Sequence, residues 1–182
     1  ENSIKYVLLN YWRSIDKKIL LGFFILFFLG LFFSFSSTSS LVGERLNKDY
    51  YFFFTKHFIF TIFAIFIMIT ISIIKTEVLI KLVFPMFLIS FIFLALVPII
   101  GLEVKGAKRW IDLYFFRLQP IEILKPLFIL MTAKILTYKK FENSQLKYFL
   151  SFLLLSSVII LLIDQPDLGQ SILLTGSWVA TV

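Results

Sequence analysis

The chain has 182 residues, of which 59% are hydrophobic and 24 are Phe, with a formal net charge of +7 and no cysteine. Without cysteine there is no disulfide, no Cys-ligated metal and no thiol nucleophile, and the single His57 cannot build a His-based metal cluster. The basic residues are dispersed among short segments between apolar runs, so the positive charge does not argue for a nucleic-acid partner.

In chain order, apolar runs occupy about 19–35, 58–74, 82–100, 120–136 and 148–163, and a sixth begins near 168 and continues to 182. A helix needs about 20 apolar residues to cross roughly 30 Å of hydrocarbon. Lipid cannot hydrogen-bond exposed backbone, so each run predicts a helix. The fold class expected is all-α: a polytopic transmembrane helix bundle over 1–182, a single transmembrane domain with five complete spans and a truncated sixth. The first run is longer than the roughly 7–15 residues of a secretory h-region and four more spans follow it, which favours a membrane helix over a signal peptide. The chain opens on Glu1 rather than Met and stops inside an apolar segment, which predicts the front part of a longer protein or a gene fragment.

Lys and Arg favour cytoplasmic loops. With the N-terminus inside, the inner segments hold Lys5, Arg13, Lys17, Lys18, Lys75, Lys81, Lys134, Lys139, Lys140 and Lys147. The outer ones hold Arg45, Lys48, Lys56, Lys105, Lys108, Arg109 and Arg117. Ten against seven predicts a cytoplasmic N-terminus. The margin is small because the segment GLEVKGAKRWIDLYFFRLQP puts four cations on the outer face. Three readings are open for it: an inverted topology, a solvated charge run, or cations that bind an anionic group such as a phosphate-bearing lipid.

The next helix opens with Gln119-Pro120, and Pro suits a first turn, where its missing N–H costs nothing. Glu122 and Lys125 share a face three residues apart. Helical side chains lean toward the N-terminus, so Lys125 should reach back to Glu122. An unpaired cation near the centre of a span costs up to about 2.5–3.5 kcal/mol, less near the rim. Pro126 deprives the Glu122 carbonyl of its donor and predicts a bend. A snorkelling lysine with a partner accounts for Lys125 alone; an intramembrane ion pair beside a basic loop also points to a functional site. A second cluster, Asp164-Gln165-Pro166-Asp167-Leu168-Gly169-Gln170, follows the fifth run. Its Pro-Asp-x-Gly is ordinary turn chemistry, with Asp167 a candidate helix cap. Trp110, Trp178, Tyr50 and Tyr51 suit an interfacial aromatic belt.

KGAKRWIDL, QPIEILKP and QPDLGQ, in this order and spacing, resemble the SEDS proteins (shape, elongation, division and sporulation), bacterial membrane glycosyltransferases of the peptidoglycan wall. The likeness runs from WRSIDKKIL through ERLNKDYYFFFTKH to the end of the chain. Lys125-Pro126 and the GLEVKGAKRW lead-in look more like the division branch, FtsW, than the elongation branch, RodA. The resemblance implies about ten spans and polymerisation of lipid II, the undecaprenyl-diphosphate-linked disaccharide-pentapeptide. A sugar hydroxyl of one molecule attacks the anomeric carbon of another and the lipid diphosphate leaves. It implies substrate-binding roles for Lys108, Arg109, Trp110, Gln119, Glu122, Lys125, Asp167 and Gly169. No catalytic residue falls in this chain, because the Asp proposed as base lies beyond residue 182. No cofactor or metal site is identified, although such chemistry leaves room for a divalent cation. The implied partners are a class B penicillin-binding transpeptidase and division proteins, at the septum of the bacterial cytoplasmic (inner) membrane. A lipid II flippase and a non-catalytic division scaffold are the alternative functions. The family usually reads Gln-Pro-Ser-Glu, whereas this chain has Ile121 in place of Ser; the lost hydroxyl removes one hydrogen bond, typically about 1 kcal/mol.

Overall fold

A computed structural model describes residues 12–13, 15–37, 51–104, 106–114, 116–139 and 143–182. Lys5, Arg45, Lys48, Tyr50, Lys105 and Lys140, named above, lie outside the described residues. The chain forms two compact units, Glu1–Lys75 and Thr76–Val182.

The first unit contains α1 (Lys17–Ser37) and α2 (Phe52–Ile73). The Asp16 carboxylate accepts the Lys18 and Ile19 backbone N–H groups at 2.8 and 3.3 Å, satisfying donors that a helix start otherwise leaves orphaned. The two helices run antiparallel. Phe35, near the end of α1, stacks on Tyr51 and meets Phe54 edge-on at the start of α2. At the other end Ile19 and Phe23 share a groove with Met68 and Ile69. Gly30 leaves room for the His57 imidazole, whose Nε2 would be 3.6 Å from an added Cβ. Thr61 and Thr70 turn their hydroxyls back onto the carbonyls of His57 and Phe66, so neither leaves a bare donor in an apolar setting.

The second unit contains α3 (Thr76–Ile100), β1 (Leu102–Val104), β2 (Ala107–Asp112), β3 (Arg117–Leu118), α4 (Pro120–Leu136), α5 (Ser144–Asp164) and α6 (Leu168–Thr181). Its centre is α4, which touches α3, α5 and α6. The buried residues of α4 recur at Ile121, Leu124, Leu127 and Phe128, the spacing of one helix face. They pack with Phe87 and Leu94 of α3, Leu155, Val158 and Leu162 of α5, and Leu174 of α6. Trp178, which suited an interfacial belt by sequence, packs against this core instead, and its indole N–H donates to Ser151 Oγ at 3.3 Å.

Among the described residues four helices are long and apolar enough to cross a membrane: α1, α2, α3 and α5. The run expected over 120–136 is a helix with those bounds, 17 residues long, carrying Glu122, Lys125 and Lys134. At 1.5 Å per residue it measures about 25 Å, and its neighbours α3, α5 and α6 pack against it. α6 is 14 residues.

The basic segment between α3 and α4, which carried no secondary-structure expectation, forms a three-stranded antiparallel sheet in the order β1-β2-β3. Gly106, at φ 79°, makes the first turn between Val104 and its partner Ala107, a backbone region that only glycine enters freely. A bulge between Leu102 and Glu103 shifts the register. Ile111 then pairs with Leu118, and Asp112 with Arg117. At the head of this ladder, Gly101 caps α3 by donating to the Val97 carbonyl at 2.8 Å. A Cβ at Gly101 would overlap that carbonyl oxygen, so the passage from helix to sheet requires glycine here.

Candidate functional site

The sheet and the turn between α5 and α6 meet at one end of the second unit, and the polar residues singled out by sequence converge there. Arg109 lies on the same side of β2 as buried Ile111. Its guanidinium donates through Nε to the Gln165 carbonyl at 3.3 Å and through a terminal nitrogen to the Pro166 carbonyl. It also lies 3.6 Å from the Asp167 carboxylate. Asp167 is 8% exposed. It accepts from Gln119 Nε2 at 3.4 Å and, as the N-cap of α6, from the Gln170 backbone N–H at 3.4 Å. One carboxylate thus joins the sheet, the start of α4 and the start of α6. A charge-assisted network of this kind is stronger than its neutral equivalent, and its buried carboxylate depends on every donor it has.

Glu122 and Lys125 form the second cluster. Lys125 Nζ lies 2.8 Å from Glu122 Oε2, the Lys side chain 18% exposed and the Glu 51%. Gln170 Nε2 donates to the other Glu122 oxygen at 3.0 Å, so α6 helps to hold the pair. The Gln170 side-chain Oε1 is buried and has no hydrogen-bond partner among the described residues. Gly169, in the first turn of α6, has ordinary room for a Cβ, 3.9 Å from Asp167 Oδ1.

The other expected residues are placed differently. Lys108 donates to the Pro98 carbonyl at 3.1 Å, at the C-terminal end of α3. That is where a cation is favourable to the helix dipole. Trp110 lies on the strand position opposite Arg109, half-exposed, and pairs across the ladder with Leu102. Ile121 is 1% exposed and belongs to the core.

Gln165 holds a contact that the sequence reading did not assign. It is 3% exposed, and its Nε2 donates to the Leu94 carbonyl at 2.9 Å. Leu94 lies four residues before Pro98, which has no N–H to give it. The Gln165 amide fills that gap. The proline was visible in the sequence, but nothing there linked Leu94, whose carbonyl it leaves without a donor, to a glutamine 71 residues away. Among the described residues no group of three or more His, Cys, Asp or Glu side chains is arranged to hold a metal ion.

Together these features describe a multi-pass helical membrane protein with a polar, charge-paired cluster at one end of its bundle. The chain belongs to the FtsW/RodA/SpoVE family, whose model, described as a cell cycle protein, matches residues 17–182. It is 34% identical over 165 residues to a probable peptidoglycan glycosyltransferase FtsW of Pasteurella multocida, covering 87% of this chain and 41% of that protein. Among solved structures it is similar to the rod-shape-determining protein RodA of Thermus thermophilus, at 27% identity and a TM-score of 0.64, covering 84% of this chain and 52% of that one. It is also similar to a chain of a peptidoglycan synthase complex described for its coordination of polymerization and crosslinking. There the identity is 27% and the TM-score 0.63, over 83% of this chain and 46% of that one. The chain thus spans about half or less of the length of these proteins.

Proposed function

We propose that this chain is part of a lipid II-using glycan-strand polymerase that builds the septal wall in bacterial cell division, in the cytoplasmic membrane beside a class B penicillin-binding transpeptidase. The observation that carries this reading is the linked cluster of Glu122–Lys125 with Gln170 and Arg109 with Asp167, in a chain whose relatives are named peptidoglycan glycosyltransferases. Transfer requires a base for the attacking hydroxyl and cations for the charge that develops on the departing diphosphate. Lys125 is the first candidate for the second role: it is largely withdrawn from solvent, its position is fixed by Glu122, and low dielectric strengthens its attraction for a phosphate. Arg109 adds a second cation at the same end of the unit. The base lies outside these residues. The likeness to a synthase complex supports a crosslinking partner.

The test replaces the matching segment of a full-length relative with residues 17–182 and follows glycan strands made from labelled lipid II in detergent, where transport across a bilayer has no meaning. Strands are expected, and their absence alongside intact lipid II transport in vesicles would favour the flippase. In the same protein Lys125→Ala and Glu122→Gln should each lower the rate, and the double variant should lose less than the two combined, because either change breaks the same pair. Strictly additive losses would show that the pair does not work as one.

These 182 residues hold no cysteine, so single-cysteine labelling can test the orientation. A single Cys at Glu103 should react with a membrane-impermeant thiol reagent added outside the cell, and one at Asn143 should be protected. The reverse pattern would place the sheet in the cytoplasm and remove it from any septal reaction.

A further inference from the structure

We infer that Gln170 is a positioning residue for the transfer reaction: through Glu122 it fixes Lys125 where the departing diphosphate must be met, and it leaves its own side-chain carbonyl unpaired to do so. The inference rests on the polymerase reading above. An ion pair whose carboxylate is half in solvent is weak by itself. Glu122 is 51% exposed and the Lys125 ammonium ends a flexible stem, so the pair alone would not fix the charge. What fixes it is that both carboxylate oxygens are taken. Lys125 Nζ lies 2.8 Å from Oε2, and Gln170 Nε2 donates to Oε1 at 3.0 Å. Gln170 is anchored in turn at its backbone, where its N–H donates to Asp167 Oδ1 at 3.4 Å in the first turn of α6. One residue therefore joins the Arg109–Asp167 cluster to the Glu122–Lys125 pair.

The orphaned end of the same amide separates this role from packing. An ionised carboxylate only accepts, so the amide NH2 must face Glu122 and the amide oxygen must face away. That oxygen is buried and has no hydrogen-bond partner among the described residues, an arrangement that folded proteins avoid. A side chain that served only to pack α6 against α4 would be more stable as Met, which fills similar volume and buries no such acceptor. The hydrogen bond gained at a half-exposed carboxylate is the smaller stability effect of the two. The glutamine is therefore suited to orienting Glu122 rather than to holding the helices together, the balance expected where activity and stability pull apart.

The full-length chimera carrying residues 17–182 provides the test. Gln170→Met should lower kcat for strand synthesis roughly tenfold or more, because a small misplacement of a transition-state charge is that damaging. KM for lipid II should change by no more than about twofold, since the lost interaction belongs to the transition state. Thermal unfolding in detergent should show the variant at least as stable as its parent. In the Lys125→Ala background the same change should cause no further loss, because the group it positions is gone. A parental kcat, a loss confined to stability, or a loss that persists without Lys125 would each overturn the inference. Gln170→Glu has the same shape but sets a carboxylate against Glu122, and it should lose at least as much kcat; it decides the question if Gln170→Met does not fold. A parent chimera that makes no strands would sink the polymerase reading and this inference with it. An active parent with an unaffected variant would sink this inference alone.

Discussion

Replacing Gln165 with Leu should destabilise the second unit by about 1–3 kcal/mol, the usual cost of leaving a buried acceptor without a donor. Leu94 is 0% exposed, its carbonyl faces Pro98 four residues on, and the Gln165 amide is the donor that reaches it. Leucine fills similar volume without the N–H. The cost should fall sharply when Pro98 is changed to Ala as well, because the restored backbone N–H reaches the Leu94 carbonyl from within α3. A double-mutant cycle, read by unfolding in detergent, should therefore give a coupling of at least about 1 kcal/mol. The Lys108 contact to the Pro98 carbonyl is retained in the alanine variant, which keeps the comparison clean. An equal loss in both backgrounds would mean that the Gln165 side chain acts through something other than the proline gap.

This cycle also marks the limit of what the sequence disclosed. The helical, membrane-spanning class was legible because lipid forbids unsatisfied backbone, and long apolar runs have no other solution. The Glu122–Lys125 pair was legible because three-residue spacing and the lean of helical side chains are local rules, and the two groups meet at 2.8 Å. Arg109 and Asp167 were each singled out, but not as partners. They are 58 residues apart in sequence, and only the return of α4 and α5 brings them to one end of the unit. The sheet was missed for a different reason. Its four cations read as a solvated charge run, and charge is weak information about backbone conformation. The better signal was Val104-Lys105-Gly106-Ala107, with Arg109 and Ile111 alternating against Trp110 and Asp112, a period-two pattern about a glycine turn. Trp178 misled because aromatic residues serve interfaces and cores alike. Its burial follows from the close approach of α5 and α6 across a single short turn.

The cations expected to meet a diphosphate are already engaged in this structure, and that sharpens what their removal should do. Arg109 spans two backbone carbonyls and a carboxylate, so Arg109→Ala would loosen the sheet as well as remove a charge. Among the described residues Lys125 pairs with Glu122, and that partner is half in solvent. A loss on Lys125→Ala is accordingly the cleaner measure of charge supplied to a substrate, and a loss on Arg109→Ala mixes charge with fold.

A polypeptide of these 182 residues alone should make no glycan strands from lipid II. It carries Lys108, Arg109 and Lys125, so weak retention of undecaprenyl diphosphate is expected, and weaker still at higher salt as exposed charges are screened. Strand synthesis needs more. The proposed polymerase is expected to take its base from outside these residues, and a site without its general base typically loses about 10²–10⁴ in rate. The described carboxylates are poor substitutes. Asp167 is committed to Arg109, Gln119 and the α6 N-terminus, Glu122 to Lys125 and Gln170, and Asp112 to Arg117 and the hairpin turn. Purified chain and labelled lipid II in detergent, beside a full-length relative, provide the measurement. Strands above background would sink this expectation and move the search for a base to Glu103 and Asp164, for which no ion pair is seen among the described residues.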